Sequence, residues 1–230
     1  MHPPAAELPL SGRLRADTQV LHRQAEGARF IQALLGGRLD TAAYALMLRN
    51  LQPIYLALEA GLRAHAGHPA IRPVLAPALF RGDALDEDLT ALQGAGWEHA
   101  LPLMPSAQAY ARRLEMLATS DPALLTAHAY VRYLGDLNGG QLFARLVTRL
   151  LERAGQVLPA RLRFHDFGPP ADVARLAGAL RSGLDKLAGG DGQAQRIVAE
   201  AVHAFGQHVV LFDELAAASG LAEAPLSPGR

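Results

Sequence analysis

The sequence predicts an all-α protein folded as a single domain, and three observations carry that expectation. Apolar residues recur at steps of three and four along most of the 230 residues. No stretch sustains two-residue alternation or places an Asn-Gly or Asp-Gly turn between β-branched runs, so no sheet is expected. No repeat of fixed period divides the chain, which argues against a helical solenoid. The domain is expected over residues 10–218. A Pro-containing tail precedes it at 1–9, and a second tail follows at 219–230, where small and proline residues cannot build a packed element.

In the first helix Leu14, Thr18, Leu21, Ala25 and Ala28 share one face, with Ser11 as the expected N-cap. A second long helix starts near Asp40 or Thr41 and turns Tyr44, Met47, Leu48, Leu51, Tyr55, Leu58 and Leu62 inward. Pro53 lies inside it and should kink it or remove one hydrogen bond. Residues 70–105 are rich in Pro, Gly and acids and read as short helices and loops around GDALDEDL and the only tryptophan, Trp97. Further helices are expected at about 106–119, 122–153, 170–188 and 192–218. The second of these holds YVRYLGDLNGGQ, residues 130–141, where a helical pattern runs into Gly139 and Gly140 and then resumes. Each interior glycine costs roughly 1 kcal/mol relative to alanine, so the pair points to a ligand lying against bare backbone.

Composition narrows the chemistry. Lys plus Arg equals Asp plus Glu at 22 each, so no general basic field argues for nucleic acid or an anionic membrane. The chain has no cysteine, which excludes disulfides, thiolate nucleophiles, and thiolate-held haem, zinc or iron-sulfur clusters. Any metal must then be held by histidine or carboxylate. The start, MHPPAAELPL, lacks a basic segment followed by a long apolar core, and no window approaches a membrane span; a cytoplasmic protein is expected.

Among the nine histidines, His65, His68, His99 and His165 read as helix-end or loop residues. Glu200 and His203 form the only E-x-x-H, a spacing that di-iron carboxylate bundles use in pairs; one copy is better read as chance. His22 borders the apolar stripe of the first helix with Glu26 four residues on. The spacing fits a boundary histidine in a surface ion pair, or an imidazole steered by the carboxylate towards a metal.

Three segments carry a specific resemblance. LHRQAEGARF around His22, AHAYVRYLGDLNGGQ at 127–141 and AFGQHVVLFDEL at 204–215 resemble hallmark stretches of the haem oxygenase family, in order and at its spacing. NLQPIYLALE and LRSGLDKL extend the similarity across about residues 10–216. The resemblance implies haem b as substrate and cofactor at once, opened by dioxygen and external electrons to biliverdin, ferrous iron and carbon monoxide. It implies His22 as the iron ligand with Glu26 as its hydrogen-bonding neighbour; a neutral imidazole pushes less electron density than a thiolate. Gly135, Gly139 and Gly140 would let a kinked distal helix lie on the ring. Asp136 would anchor proton-delivering waters shared with Tyr55 and Arg132. Arg15, Tyr130 and Arg181 would face the propionates, and Phe205 would pack at the ring edge or distal pocket.

The chain departs from the family pattern at Asn138, commonly serine, at Pro53 before Tyr55, and at Ala177, where some relatives carry a second base. With no flavin or nicotinamide fingerprint and no cysteine, a ferredoxin or flavin reductase is the expected electron donor, and a bilin acceptor is a possible further partner. No nucleic acid and no membrane partner is expected. A non-catalytic haem carrier or sensor is the alternative of another class.

Overall fold

The computed structural model describes residues 8–157, 162–187 and 190–221, so most of both expected tails lies outside the described residues. Among these the chain is helical without strands. α1 (Leu10–Gly27) and α2 (Arg29–Leu35) are separated by Ala28, whose extended ψ of 138° turns the chain. Ser11 does not cap α1. The Pro9 carbonyl already receives the Gly12 and Arg13 amides, and Ser11 instead donates its N–H (2.8 Å) and hydroxyl (3.0 Å) to the Asp185 carboxylate. These two bonds tie the start of α1 to Asp185, far along the chain.

α3 (Thr41–Ala64) begins as expected, with the Asp40 carboxylate accepting from the Ala43 amide at 2.8 Å. It runs unbroken through Pro53 and buries Tyr44, Ile54, Tyr55 and Leu58 completely. α4 (Gly82–Gln93) and the single turn α5 (Trp97–Ala100) follow in the segment expected to hold short helices. α6 (Pro105–Ser120), α7 (Leu125–Arg153), α8 (Pro170–Asp185) and α9 (Gly190–Ala218) complete the order, with a short 3-10 turn at Pro122–Leu124 leading into α7. Among the described residues no helix is long and apolar enough to cross a membrane.

Packing places the elements that matter later. α9 is the shared wall: α1, α7, α2 and α6 all rest against it, while α3 packs on α6, α4 and α7. α1 and α7 both pack on α9 and α8. Buried carboxylates fix the loops. Glu59 of α3 accepts the Arg81 and Gly82 amides at the start of α4, and Asp88 of α4 accepts the amides of Arg163 (2.7 Å) and Phe164 (2.8 Å), holding the 162–168 loop beside α7.

Gly183 in LRSGLDKL has a packing reason. A Cβ there would stand 2.1 Å from the Pro73 carbonyl oxygen, so α8 can approach the 70–74 turn only with a bare Cα. Gly178, on the exposed side of the same helix, would meet nothing within 4 Å. Gly183→Ala is therefore expected to lower stability by about 1–3 kcal/mol through overpacking. Gly178→Ala should raise it by about 0.4–1 kcal/mol. Denaturant midpoints of the two variants check the pair.

Candidate functional site

Most of the sequence-predicted residues lie on α1 and α7. On α1, His22 Nδ1 lies 3.4 Å from Glu26 Oε2, and 48% of the His22 side chain is exposed, so the ring presents Nε2 on its far side. Phe205 of α9 meets the imidazole edge-on at 5.6 Å between centroids, which fixes the ring laterally without covering it. An imidazole so held, with one nitrogen engaged by a carboxylate, is built to donate from the other. Among the described residues no three His, Asp or Glu side chains converge on a metal-sized site. A lone imidazole suits a metal whose other positions are already filled by a macrocycle.

Two turns before His22 on the same face, Arg15 lies near Tyr130 of α7 and Arg181 of α8. Burial raises the Tyr130 pKa, and Thr18, Arg181 and Arg15 pull it the other way, so two guanidinium groups act on one half-buried phenol. Such a set suits carboxylates.

α7 is continuous across its glycines. Gly135 is exposed and a Cβ on it would touch nothing; Gly139, one turn on, is half-buried, and its Cβ would meet only the Phe143 ring at 3.1 Å. These two make the bare strip of the helix. Gly140 points elsewhere: it is buried, and its Cβ would press on the His165 carbonyl at 3.3 Å. Its glycine serves packing against the 162–168 loop.

Asp136, beside the bare strip but on the inner face, heads a buried network. Tyr55 donates its hydroxyl to Asp136 Oδ2, and Arg132 donates to the Tyr55 oxygen (2.6 and 3.0 Å) and to Asp136 Oδ1 (3.3 Å). Arg132 Nη1 lies 2.5 Å from His208 Nε2, and His208 Nδ1 lies 2.9 Å from the Ala204 carbonyl. Since a guanidinium can only donate and a carbonyl only accept, His208 is the neutral tautomer protonated at Nδ1. Its burial and the Arg132 charge push its pKa well down, in agreement. Burial raises the Asp136 pKa against the opposing pull of Arg132 and Tyr55, so this carboxyl keeps a proton to higher pH than an exposed aspartate.

A second buried chain was not read from the sequence. Arg113 of α6 grips Glu200 (3.1 and 2.5 Å), Glu200 accepts from His128 Nε2 (3.0 Å), and His128 Nδ1 receives the Tyr110 hydroxyl (2.9 Å). The Tyr110 ring then stands edge-on to His208 at 5.1 Å, bracing the first network. Glu200 is thus a salt-bridge partner, while His203 is exposed. One signal could have found His208 of the first network: it falls three residues after Phe205 and four after Ala204, on the buried stripe of α9. His165 lies in a loop as expected, yet both of its ring nitrogens are buried.

The comparisons with known proteins agree on one family. Residues 8–214 match the family model described as Heme oxygenase. The chain is 33% identical over 207 residues to heme oxygenase 1 of a Nostoc species, covering 90% of this chain and 85% of that one. It superposes on heme oxygenase-2 of a Synechocystis species, solved in complex with heme and NO, with a TM-score of 0.84, 33% identity and coverage of 92% and 88%. The heme oxygenase of Leptospira interrogans matches with a TM-score of 0.83 and 30% identity, covering 90% of this chain and all of that one.

Glu200 supplies a pH-dependent prediction. Burial opposes its charge, but hydrogen bonds from His128 and Arg113 hold its pKa down at about 2. A carboxylate depressed from roughly 4.3 stabilises the fold fully above that pH, and the contribution is lost as pH falls towards 2. Glu200→Gln should cost about 1–2 kcal/mol at pH 7, and the gap to the parent should close between pH 4 and 2, as read by urea denaturation across that range.

Proposed function

The chain belongs to the haem oxygenase family and is a haem-degrading enzyme, and we propose that it seats haem in the groove between α1 and α7 with His22 as the iron ligand. The ring is opened by dioxygen and external electrons to biliverdin, ferrous iron and carbon monoxide. Haem is both substrate and cofactor, because it supplies the oxygen-binding metal and the carbon that is oxidised. The residues fit it. His22 has Nδ1 beside Glu26 and nearly half its side chain exposed, Gly135 and Gly139 carry no Cβ on their strip of α7, and Arg15, Arg181 and Tyr130 supply cations and a phenol suited to the propionates.

The observation that carries catalysis over mere binding is the placement of Asp136. Its carboxyl is buried one residue from the bare Gly135, its proton affinity is raised, and Tyr55 and Arg132 fix its orientation. A haem carrier or sensor would need His22 and the cationic end but no such group. We assign Asp136, acting through water, to proton delivery, with Arg132 and Tyr55 holding it in place. Phe205 holds the His22 ring edge-on and Glu26 engages its Nδ1. Gly140 supports the helix from behind.

The electron donor is a separate protein of the ferredoxin or flavin-reductase class, since the chain has no cysteine for a cluster and no dinucleotide fingerprint. A bilin acceptor would take the product, and the cytoplasm is the proposed place of action.

Haem mixed with the protein and then given ascorbate in air should lose its Soret band to a biliverdin spectrum; a persistent Soret band without bile pigment would favour the carrier. His22→Ala is expected to bind haem at least tenfold more weakly and to lose the histidine-ligated spectrum, checked by haem titration. Asp136→Ala should keep haem affinity within a few-fold yet lower biliverdin yield at least tenfold, a loss of about 1.4 kcal/mol or more in transition-state stabilisation, read by chromatography of the pigment.

A further inference from the structure

The bare surface of α7 is short, and its length is set by side-chain direction. A helical side chain leans towards the N-terminus, so each residue covers the surface over the turn before it. Gly135 is exposed and a Cβ on it would meet nothing, because Gly139, four residues on, has no side chain to lay over it. Gly139 is itself covered: the Phe143 ring lies 3.1 Å from where its Cβ would stand. The opening at Gly135 is therefore closed on its C-terminal side by Phe143.

That closure is backed from behind. Phe143 stacks on the His165 ring, with centroids 5.6 Å apart and planes 20° from parallel, and Phe164 packs on the same imidazole at 4.6 Å. The loop carrying both rings is fixed in turn, since Asp88 accepts the Arg163 and Phe164 amides and the His165 carbonyl lies against Gly140. A phenyl ring supported in this way resists displacement by a ligand.

The two ends of this stretch of α7 differ in polarity. Arg15 and Arg181 act on the phenol of Tyr130. Phe143 stands 13 residues beyond Tyr130, about 20 Å along a helix rising 1.5 Å per residue, and Leu142 beside it is 44% exposed. Cations at one end and hydrocarbon at the other match a planar macrocycle that carries carboxylates on one edge and alkyl groups on the opposite edge.

We propose that Phe143, held by His165, is the stop that fixes how far the haem ring slides along α7, and hence which of its carbon bridges is opened. The inference rests on the seating of haem against Gly135 and Gly139 proposed above. A ring confined between the cations and a fixed aromatic has one seat along the helix, and without the stop it has several. Phe143 acts by contact with the substrate; His165 acts only through Phe143, as a positioning residue.

Proton NMR of the full chain loaded with ferric haem and cyanide tests this without turnover, because the haem methyl shifts report how the ring is seated and turned. Phe143→Ala should add a set of methyl resonances absent from the parent, at about a tenth of the intensity or more, the share left by a preference of 1.4 kcal/mol. Its biliverdin, separated by chromatography, should gain an isomer that the parent does not make. An unchanged methyl pattern with an unchanged isomer would overturn the proposal. His165→Ala should reproduce part of the new pattern, whereas His165→Phe, which keeps a flat ring behind Phe143, should restore the parent's; equal spectra from the two would remove His165 from the role. Phe143→Leu, read the same way, decides the matter if the alanine variant does not fold. Failure of the parent to bind haem through His22 would refute the seating and this inference with it. Failure to open a ring that it binds would refute only the assigned reaction, and the methyl shifts would still decide the role of Phe143.

Discussion

A single buried cation organises the functional half of this molecule. Arg132 lies inside the core, where an unpaired guanidinium would be prohibitive, and it is satisfied by groups from three helices: Tyr55 of α3, Asp136 of its own α7 and His208 of α9. Because each partner must reach the guanidinium, the relative placement of those helices is constrained by hydrogen-bond geometry as well as by apolar burial. Asp136 inherits its position from this constraint. Burial opposes the Arg132 charge, but Tyr55, Asp136 and Tyr110 more than offset it, so the cation beside the carboxyl is retained.

The fold divides its glycines between two tasks that look alike in a sequence. Gly135 and Gly139 leave open surface on the outer strip of α7, while Gly140 and Gly183 permit backbone to approach backbone, at the 162–168 loop and at the 70–74 turn. The LGDLNGGQ segment is therefore bare on one side, away from the core, and bare on the other for the loop that supports it. Asp136 sits between the two, on the inner face, with its carboxyl held by Tyr55 and Arg132.

Around this centre the molecule invests in buried polar pairs. Arg113, Glu200, His128 and Tyr110 form a chain that starts near the surface and ends with the Tyr110 ring on His208. Glu59 and Asp88 give their carboxylates to backbone amides at the entrance of α4 and in the loop that carries His165. Each removes a desolvated donor from the list of costs, and each fixes a segment that borders the site.

The sequence by itself determined the class of fold, the order of the long helices and the family, because apolar period, caps such as Asp40 and the glycine-containing segment are local signals. Its motifs also singled out His22 with Glu26, and Asp136 with Arg132 and Tyr55, groups that stand together in the fold. What it did not determine was which polar residues meet across distances of 70 or more positions: His128 with Glu200, Arg132 with His208, and the burial of both His165 nitrogens. Nor did it separate Gly140 from Gly135, or reveal that Ser11 would turn to Asp185. These were settled by how α3, α7, α8 and α9 pack, since a hydrogen bond between remote residues depends on helix placement and rotation, which no local pattern encodes.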